Sequence, residues 1–398
     1  MIKELTMEKT SLPVGWEMKT LGDICEIKTG KRDANHGNPN GKYHFFTCAK
    51  THSYIDDYNF DTEAILVAGN GDVGAVKYFK GKFDAYQRTY VLHNFKINVD
   101  VQLLFLLLNG CLKDVVSKQK LGNTMPYIKL GMLVKFPIIL PPLSLQKQIV
   151  SILDKAFAAI DIAKENAEQN LQNAKELFES YLQNVFKNNG DDWEEKTLGE
   201  ILSSPPKNGW SPPAKFHSDS GIPVLTLSAV TGFIFKKESV KYTSAPVKKD
   251  AYYWLNEGDL LITRSNTPEL VGHTAICGNL DGETIYPDLM MKINPKNTIV
   301  NTQFLYYQLR SPKLREIIMD AAHGANPTMK KVNKKDVQSF EISYPSLFEQ
   351  QEIVKRLNNL STETKKLEVI YTQKIDDLEE MKKSVLQKAF SGQLNTIN

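Results

Sequence analysis

The stretch from Thr124 to Phe186 realigns on Thr328 to Phe390 at a constant offset of 204, without a gap, and sixteen of the 63 positions are identical. The identities include Pro141/Pro345, Leu143/Leu347, Gln146/Gln350, Ile149/Ile353, Val150/Val354, Leu182/Leu386 and Phe186/Phe390. A second match, Trp16-Glu-Met-Lys-Thr-Leu-Gly22 with Trp193-Glu-Glu-Lys-Thr-Leu-Gly199, sits at an offset of 177. The two halves therefore share their ends, and their middles differ by 27 residues. A repeat fixes the architecture that later readings inherit, and this one is far too long for a solenoid. Two whole domains, each followed by the same connector, are expected.

The connectors read as long helices. From Leu145 to Phe186, apolar or small residues fall at 149, 153, 156, 160, 163, 167, 171, 174, 178, 181 and 185, a heptad-like seam. One extra step of four, at 163-167-171, breaks the period. The second copy, read through Ile353, Leu357, Leu360, Thr364, Leu367, Tyr371, Ile375 and Leu378, carries the same irregularity at 367-371-375. A stutter locally unwinds a coiled coil, and two seams sharing one can stay in register. The helices are therefore expected to pair, antiparallel, through Ile149, Leu153, Ile160 and Leu171 on the first and Ile353, Leu357, Leu367 and Leu378 on the second. About 40 residues make a rod of roughly 60 Å, which would hold two globular domains apart. Pro141-Pro142 and Pro345 precede the helices, Ser144 is placed to cap the first, and Ser391-Gly392 is placed to end the second.

Between Trp16 and Pro141 the pattern is short strands, at 65–68, 75–79 and 90–93, then a helix over 101–118. The second domain repeats the order, with strands at 224–227, 259–263 and 274–277 and a helix over 302–322. Both read as α+β with the helix late. The divisions expected are 1–143, a first globular domain; 144–187, a helical spacer; 188–346, a second globular domain; and 347–398, a second helical spacer.

Composition excludes more than it assigns. At 398 residues, 41% hydrophobic and 24% charged, the chain is an ordinary globular sequence long enough for two or three cores. No run approaches the roughly 18 apolar residues of a membrane span, and Met1 to Thr10 lacks the order of a signal peptide, so a cytoplasmic protein is expected. Cys25, Cys48, Cys111 and Cys277 lie far apart with no CxxC pair, which suits reduced structural thiols. Gly69-Asn-Gly-Asp-Val-Gly74 matches GxGxxG, yet a strand-like run follows it rather than a helix, so a glycine-rich turn is expected. His44, Cys48 and His52 offer three metal ligands with no evident fourth, and no metal is assigned. No GxxxxGK[ST], GxSxG, HExxH or kinase signature is present, so no catalytic residue is assigned.

What remains is basic and polar residues on loops. The first domain offers Lys28, Lys31, Arg32, Asn35, His36, Lys77, Lys80, Lys82, Arg88, Thr89 and Thr124. The second offers Lys236, Lys237, Arg264, Asn266, Thr267, Asn326, Lys330, Lys331, Lys334 and Lys335. Lysine and arginine suit phosphates, and an Arg or Asn on a loop can make two hydrogen bonds to one base edge. A net charge of +3 does not decide the matter, because a basic face is a local property. In a duplicated frame these clusters point to DNA, with Arg264, flanked by Asn266 and Thr267, the foremost candidate for a base contact.

The domain-opening Trp-Glu-x-x-Thr-Leu-Gly at Trp16 and Trp193, with the domain-closing run Phe340-x-Ile-x-Tyr-Pro-x-Leu-x-Glu-Gln-x-x-Ile353 before a long helix, resembles the specificity subunit of type I restriction-modification systems. The resemblance spans Trp16 to Leu394; the first copy departs in having Leu145 where the second has Glu349. It implies an α+β protein with a pseudo-twofold internal repeat: two globular target-recognition domains separated by two long antiparallel paired helices, coiled-coil-like. It also implies that each domain reads one half of a split double-stranded DNA site, with the helices as a ruler. Two methyltransferase subunits carrying S-adenosylmethionine would dock on the helices. ATP-dependent endonuclease and translocase subunits, using ATP and Mg, would join them. This chain would bind no cofactor and carry out no catalysis. Two other readings remain: the DNA-recognition subunit of a related enzyme that cuts on both sides of a split site, and a coiled-coil interaction scaffold that does not bind DNA.

Overall fold

The computed structural model describes residues 12–119, 121, 126–187, 190, 192–326 and 328–394. Its contacts divide the chain into two units, Met1–Glu168 with Thr372–Asn398, and Gln169–Tyr371.

The first unit opens with strand β1 (Glu17–Thr20) and helix α1 (Leu21–Ile24). The Asp23 carboxylate accepts hydrogen bonds from the Thr20 backbone N–H (2.8 Å) and hydroxyl (2.7 Å), which fixes the start of α1. A six-stranded sheet follows, made of β2 (Glu26–Thr29), β3 (Tyr43–Phe46), β4 (Ser53–Ile55), β5 (Phe60–Ala68), β6 (Val76–Ala85) and β7 (Thr89–His93), in the order β2-β7-β5-β6-β3-β4. Alternation along β5 covers both faces of this sheet. Ile65 and Val67 join Leu104, Leu108 and Leu112 of helix α2 (Val101–Gln119), while Ala64 and Leu66 meet Phe46, Phe83 and Val91 on the other side. Helix α3 (Leu130–Val134) leads into β8 (Pro137–Leu140), which returns to pair antiparallel with β1.

The second unit repeats this frame. Strand β9 (Glu194–Thr197) leads into helix α5 (Leu198–Ile201), where Glu200 does for Thr197 what Asp23 does for Thr20, at 2.8 and 2.6 Å. The strands are β10 (Leu202–Asn208), β11 (His217–Ser218), β12 (Ile222–Leu225), β13 (Val240–Thr243), β14 (Leu260–Thr263), β15 (Ser265–Asn266), β16 (Thr274–Ile276), β17 (Met290–Pro295), β18 (Lys330–Lys331) and β19 (Glu341–Tyr344). They form a four-stranded sheet β10-β17-β14-β16, a three-stranded sheet β11-β13-β12 and the ribbon β15-β18, while β19 pairs β9 as β8 pairs β1. Strand β14 alternates like β5: Leu260 and Ile262 face the core with Phe304 and Leu305, and Leu261 faces Ala275 and Met290.

The helix expected over 302–322 is two helices, α6 (Thr302–Leu309) and α7 (Pro312–Asp320). Pro312 has no N–H to continue the ladder and occupies the first turn of a new helix, with Ser311 extended before it. Helix α8 (Lys334–Ser339) is capped by Asn333, whose side chain accepts from the Lys335 and Asp336 backbone N–H groups.

Two long helices, α4 (Leu143–Lys187, 45 residues) and α9 (Leu347–Phe390, 44 residues), each contribute one end to each unit. In the first unit they run antiparallel: Asp161 pairs with Lys382 (2.7 Å) and Lys164 with Glu379 (2.6 Å), above a cluster of Ile149, Leu153 and Ala389. In the second unit, Phe178, Leu182 and Phe186 of α4 share the core with Val354 and Leu357 of α9. Ile160 is buried, and Leu171, Ile353 and Leu378 are half-buried.

Two expectations for these helices need correction. Helix α4 starts at Leu143, with the Pro142 carbonyl accepting from Leu145 and Gln146, so Ser144 lies inside the first turn and is not the cap. Leu367 is 36% exposed, whereas Thr364 is buried, its hydroxyl donating to the Leu360 carbonyl at 2.9 Å, and Glu368 is half-buried. At 3.6 residues per turn, the inward position after Thr364 falls nearer 368 than 367. The double step of four in α9 is therefore 360-364-368, not the copy of the α4 stutter.

One residue ties each long helix to its unit. The Gln146 side chain accepts from the Asp100 N–H (2.7 Å) and donates to the carbonyls of Asn98 (3.0 Å) and Pro141 (2.8 Å). Gln350 accepts from Asn301 (2.8 Å) and donates to Ile299 (3.0 Å) and Pro345 (2.8 Å). The repeat thus persists down to single hydrogen bonds.

Candidate nucleic-acid interface

In the first unit, β5 ends at the Gly69–Gly74 turn. The Gly74 N–H donates to Ala68, and strand β6 follows. Gly74 has φ +82, and a Cβ there would lie 2.5 Å from Val116 Cγ2 of α2. Gly272 holds the same place in the second unit, donating to Thr263, with φ +76 and a Cβ position 2.2 Å from Ile318 Cγ2 of α7. The glycine motif is thus a tight turn pressed on a helix.

Several predicted DNA contacts on the first unit are already engaged. Lys28 pairs with Glu26 at 3.0 Å. Arg32 is held by the fully buried Asp84 (3.4 Å) and by Asp57 (3.5 Å). The Lys77 ammonium donates to the Ala49 carbonyl at 2.7 Å, and partial burial lowers its pKa. Thr89 is 2% exposed, its hydroxyl donating to Phe46 at 3.2 Å, so it has no face to offer a ligand. Asn35 sits in a short 3-10 turn, where its N–H donates to the Asp33 side chain, and Lys31 is exposed beside it. Thr124 lies outside the described residues. Arg88 is exposed, and it lines a cleft of about 420 Å³ with Gln87, Tyr127, Lys129 and Leu130.

His44 and His52 pack edge to face, 4.5 Å between ring centres, beside Tyr54 and Phe79. Burial, then the neighbouring His44, lowers the His52 pKa. Among the described residues no three His, Cys, Asp or Glu side chains are grouped to hold a metal ion.

In the second unit Lys236 is half-buried and Lys237 pairs with Asp281 at 2.7 Å. The other candidates gather at the β15-β18 ribbon, where Ser265 opposes Lys331 and Asn266 opposes Lys330. Arg264 precedes the ribbon, its backbone N–H donating to Leu289 (2.8 Å) and its carbonyl accepting from Val332 (3.0 Å). The Asn266 side chain accepts from the Thr267 N–H, and the Thr267 carbonyl accepts from Leu270 and Val271. The Lys330 ammonium donates to Gly324 at 2.9 Å, Asn326 folds onto Thr328, and Lys331 is exposed.

Sequence reasoning missed Tyr127 and Lys129. Tyr127 bridges Asn70 and Leu121 much as Lys331 pairs with Ser265 and His323. The signal was available, because Tyr127 aligns with Lys331 at the offset of 204. A further aromatic group, Trp210 stacked on Tyr253 at 5.4 Å with Tyr252 beside it, also escaped the sequence reading.

Among known sequence families, the Type I restriction modification DNA specificity domain matches this chain twice, over residues 13–173 and 190–376. The Type I restriction enzyme EcoDI specificity subunit of Escherichia coli is 28% identical, over 98% of this chain and 90% of its own length. The EcoKI specificity subunit of Escherichia coli strain K12 is 25% identical, over 71% of this chain and 63% of its own. A chain solved in work on complex assembly and conformational transition of the type I R-M system superposes with a TM-score of 0.76 at 19% identity, covering 96% of this chain and 100% of that one. The HsdS subunit from Thermoanaerobacter tengcongensis gives 0.61 at 19% identity, covering 97% and 99%.

Proposed function

The chain belongs to the type I restriction modification DNA specificity family, and from that premise we propose a division of labour among its parts. Its role is DNA sequence specificity within a restriction-modification complex. Each unit reads one half of a bipartite, asymmetric double-stranded site. The lengths of α4 and α9 set the spacing between the halves, and two methyltransferase subunits dock on these helices. S-adenosylmethionine, ATP and Mg belong to the methyltransferase and the translocating endonuclease partners, which make and break the bonds. The complex works in the cytoplasm; among the described residues no helix is long and apolar enough to cross a membrane.

One observation carries this reading. The two units keep the same frame, from the capping carboxylates to the glutamine ties, while their sheets differ: six strands in one, four plus three in the other. A constant frame with divergent surfaces suits two readers of different half-sites.

Salt and spacing test it. Assembled with its methyltransferase, the chain should bind duplex DNA with an affinity that falls steeply as salt rises, because phosphate contacts release counterions. Four residues inserted into α4 add about 6 Å, close to two base-pair steps of roughly 3.4 Å. Mapped adenine methylation should then show a longer spacer and unchanged half-sites. Unchanged spacing counts against the ruler, and salt-independent binding counts against the DNA reading.

A further inference from the structure

The chain has six arginines, and their fates differ. Arg32 is bound by Asp84 and Asp57, Arg310 by Glu179 at 2.6 Å, and Arg315 by the carbonyls of Val271 and Glu269. Arg356 lies exposed on the long helix α9, with no side-chain hydrogen bond or ion pair among the described residues. Arg88 and Arg264 likewise have none and are not buried, and they alone of the three stand at the sheets.

These two stand at one place in the repeated frame. The β5·β7 ladder ends with Ala68 opposite Thr89, and one residue further the Gly69 N–H donates to the Arg88 carbonyl at 2.9 Å. The β14·β17 ladder ends with Thr263 opposite Met290, and one residue further the Arg264 N–H donates to the Leu289 carbonyl at 2.8 Å. The other side of the position matches too: Gly69 accepts from Ile128, and Arg264 accepts from Val332, both at 3.0 Å. Gly69 is thus the counterpart of Arg264, and Arg88 the counterpart of Leu289. Each unit has a single arginine here, on opposite members of the same cross-strand pair.

Geometry explains the exchange. A Cβ at Gly69 would lie 2.4 Å from the Arg88 carbonyl oxygen, so in the first unit only the second strand can supply a side chain. Cβ atoms of directly opposed residues lie about 5 Å apart, so a long side chain from either strand sweeps the same space. The backbone on which each guanidinium stands is hydrogen-bonded, so the fork starts from a fixed base. In the first unit the space beside it is the cleft lined by Tyr127 and Lys129, and in the second the position leads directly into the β15-β18 ribbon. A planar fork of donors left free at a rigid position matches the O6 and N7 acceptors of guanine.

We propose that Arg88 and Arg264 are specificity-determining residues, each fixing one G·C pair in the half-site read by its own unit. This rests on the chain being a DNA specificity subunit.

The test uses the full chain assembled with its methyltransferase subunits, acting on a randomised duplex library, with methylated adenines mapped. The unaltered complex should return a split motif; if it returns none, the specificity reading itself falls and takes this proposal with it. Arg88→Ala should relax one position of one half-site by roughly 5- to 150-fold, and Arg264→Ala one position of the other. Arg→Lys at either residue keeps the charge but not the fork, and should stay relaxed. Leu289 is 37% exposed, so it has room for a longer side chain. Leu289→Arg added to Arg264→Ala should restore the lost preference, because the arginine returns to the same space from the opposite strand. Uniform weakening on all sequences with a shallower salt slope would mark a phosphate contact and overturn the assignment. Relaxation of the same half-site by both variants, or of neither, would overturn it equally, provided the variants still co-purify with the methyltransferase.

Discussion

Removing the Gln350 side chain should destabilise the second unit more than almost any other single truncation of a polar residue. The side chain is 0% exposed and makes three hydrogen bonds, all to backbone groups: the Asn301 N–H and the Ile299 and Pro345 carbonyls. A buried polar group left without a partner costs about 1–3 kcal/mol. Two of the three are carbonyls with a second lone pair, so the lower part of that range applies to them, and Gln350→Ala should cost about 3–5 kcal/mol. Gln350→Met fills the same space without hydrogen bonds and should cost nearly as much. The Asn301 amide reports the effect locally, because its acceptor is Gln350 itself. A loss of about 3 kcal/mol accelerates exchange through local opening by roughly 150-fold. Gln146→Ala should do the same to the first unit, read at the Asp100 amide. Hydrogen-exchange mass spectrometry with urea unfolding followed unit by unit would measure both. If Gln350→Ala and Gln350→Met each cost less than about 1 kcal/mol, or if the Asn301 amide exchanges as before, the tie is not what holds the helix.

Other expectations come from the turns, the buried histidine and the thiols. Gly272→Ala and Gly74→Ala should each lower stability by about 2–5 kcal/mol, summing left-handed strain and overpacking. Gly258→Ala, at φ +87 with no atom within 4 Å of the added Cβ, should show only the strain of about 1–2 kcal/mol; equal urea midpoints for all three variants would contradict this. His273 accepts the Gly232 N–H at 3.0 Å, and burial, then Arg315, lowers its pKa from 6.5 to about 4. The neutral ring is therefore a source of stability that is complete above pH 6.5 and lost as pH falls toward about 4. His273→Gln should flatten the urea midpoint of the second unit across that window, and a slope equal to the wild type would refute it. Burial pushes the thiols of Cys25, Cys111 and Cys277 up to about 12, while Cys48 is only half-buried. A disulfide reagent at pH 8 should therefore titrate one thiol in the folded chain and the other three only after unfolding; rapid reaction of two or more would count against the packing described.

The long helices were readable because a 3.6-residue period survives any change in side-chain identity. The inward positions Ile149, Leu153 and Ile160 follow from spacing alone. The end of α9 follows from a local residue signal, Gly392, which takes φ +72. At Leu367 helical phase outweighs hydrophobicity: Leu367 is exposed, whereas Thr364 occupies the seam with its hydroxyl satisfied by its own helix. The break at Ser311-Pro312 was equally legible in principle, since proline is a local signal. The engagement of surface cations was not. Arg32 meets Asp84 across 52 positions, and the Lys77 ammonium reaches the Ala49 carbonyl across 28, so nothing local separates them from Arg88. Which loop residues are free depends on sheet order, and here β3 lies beside β6 in a parallel pairing that no neighbouring residue announces. The likeness between Gly69/Arg88 and Arg264/Leu289 was invisible for the same reason: it lies across a ladder, where each half of the pair belongs to a different stretch of chain.

The glutamine ties bear on how such a chain can change. What Gln146 and Gln350 grip is main chain, the same peptide groups in any sequence, and the opening strands β1 and β9 meet β8 and β19 through main chain as well. A foreign segment spliced in between these seams need only deliver its peptide groups to the right places for the join to close. Inheritance by whole-segment exchange is therefore mechanically cheap for this architecture, and a new address can be acquired in one recombination event while the long helices and their glutamine ties go on unaltered.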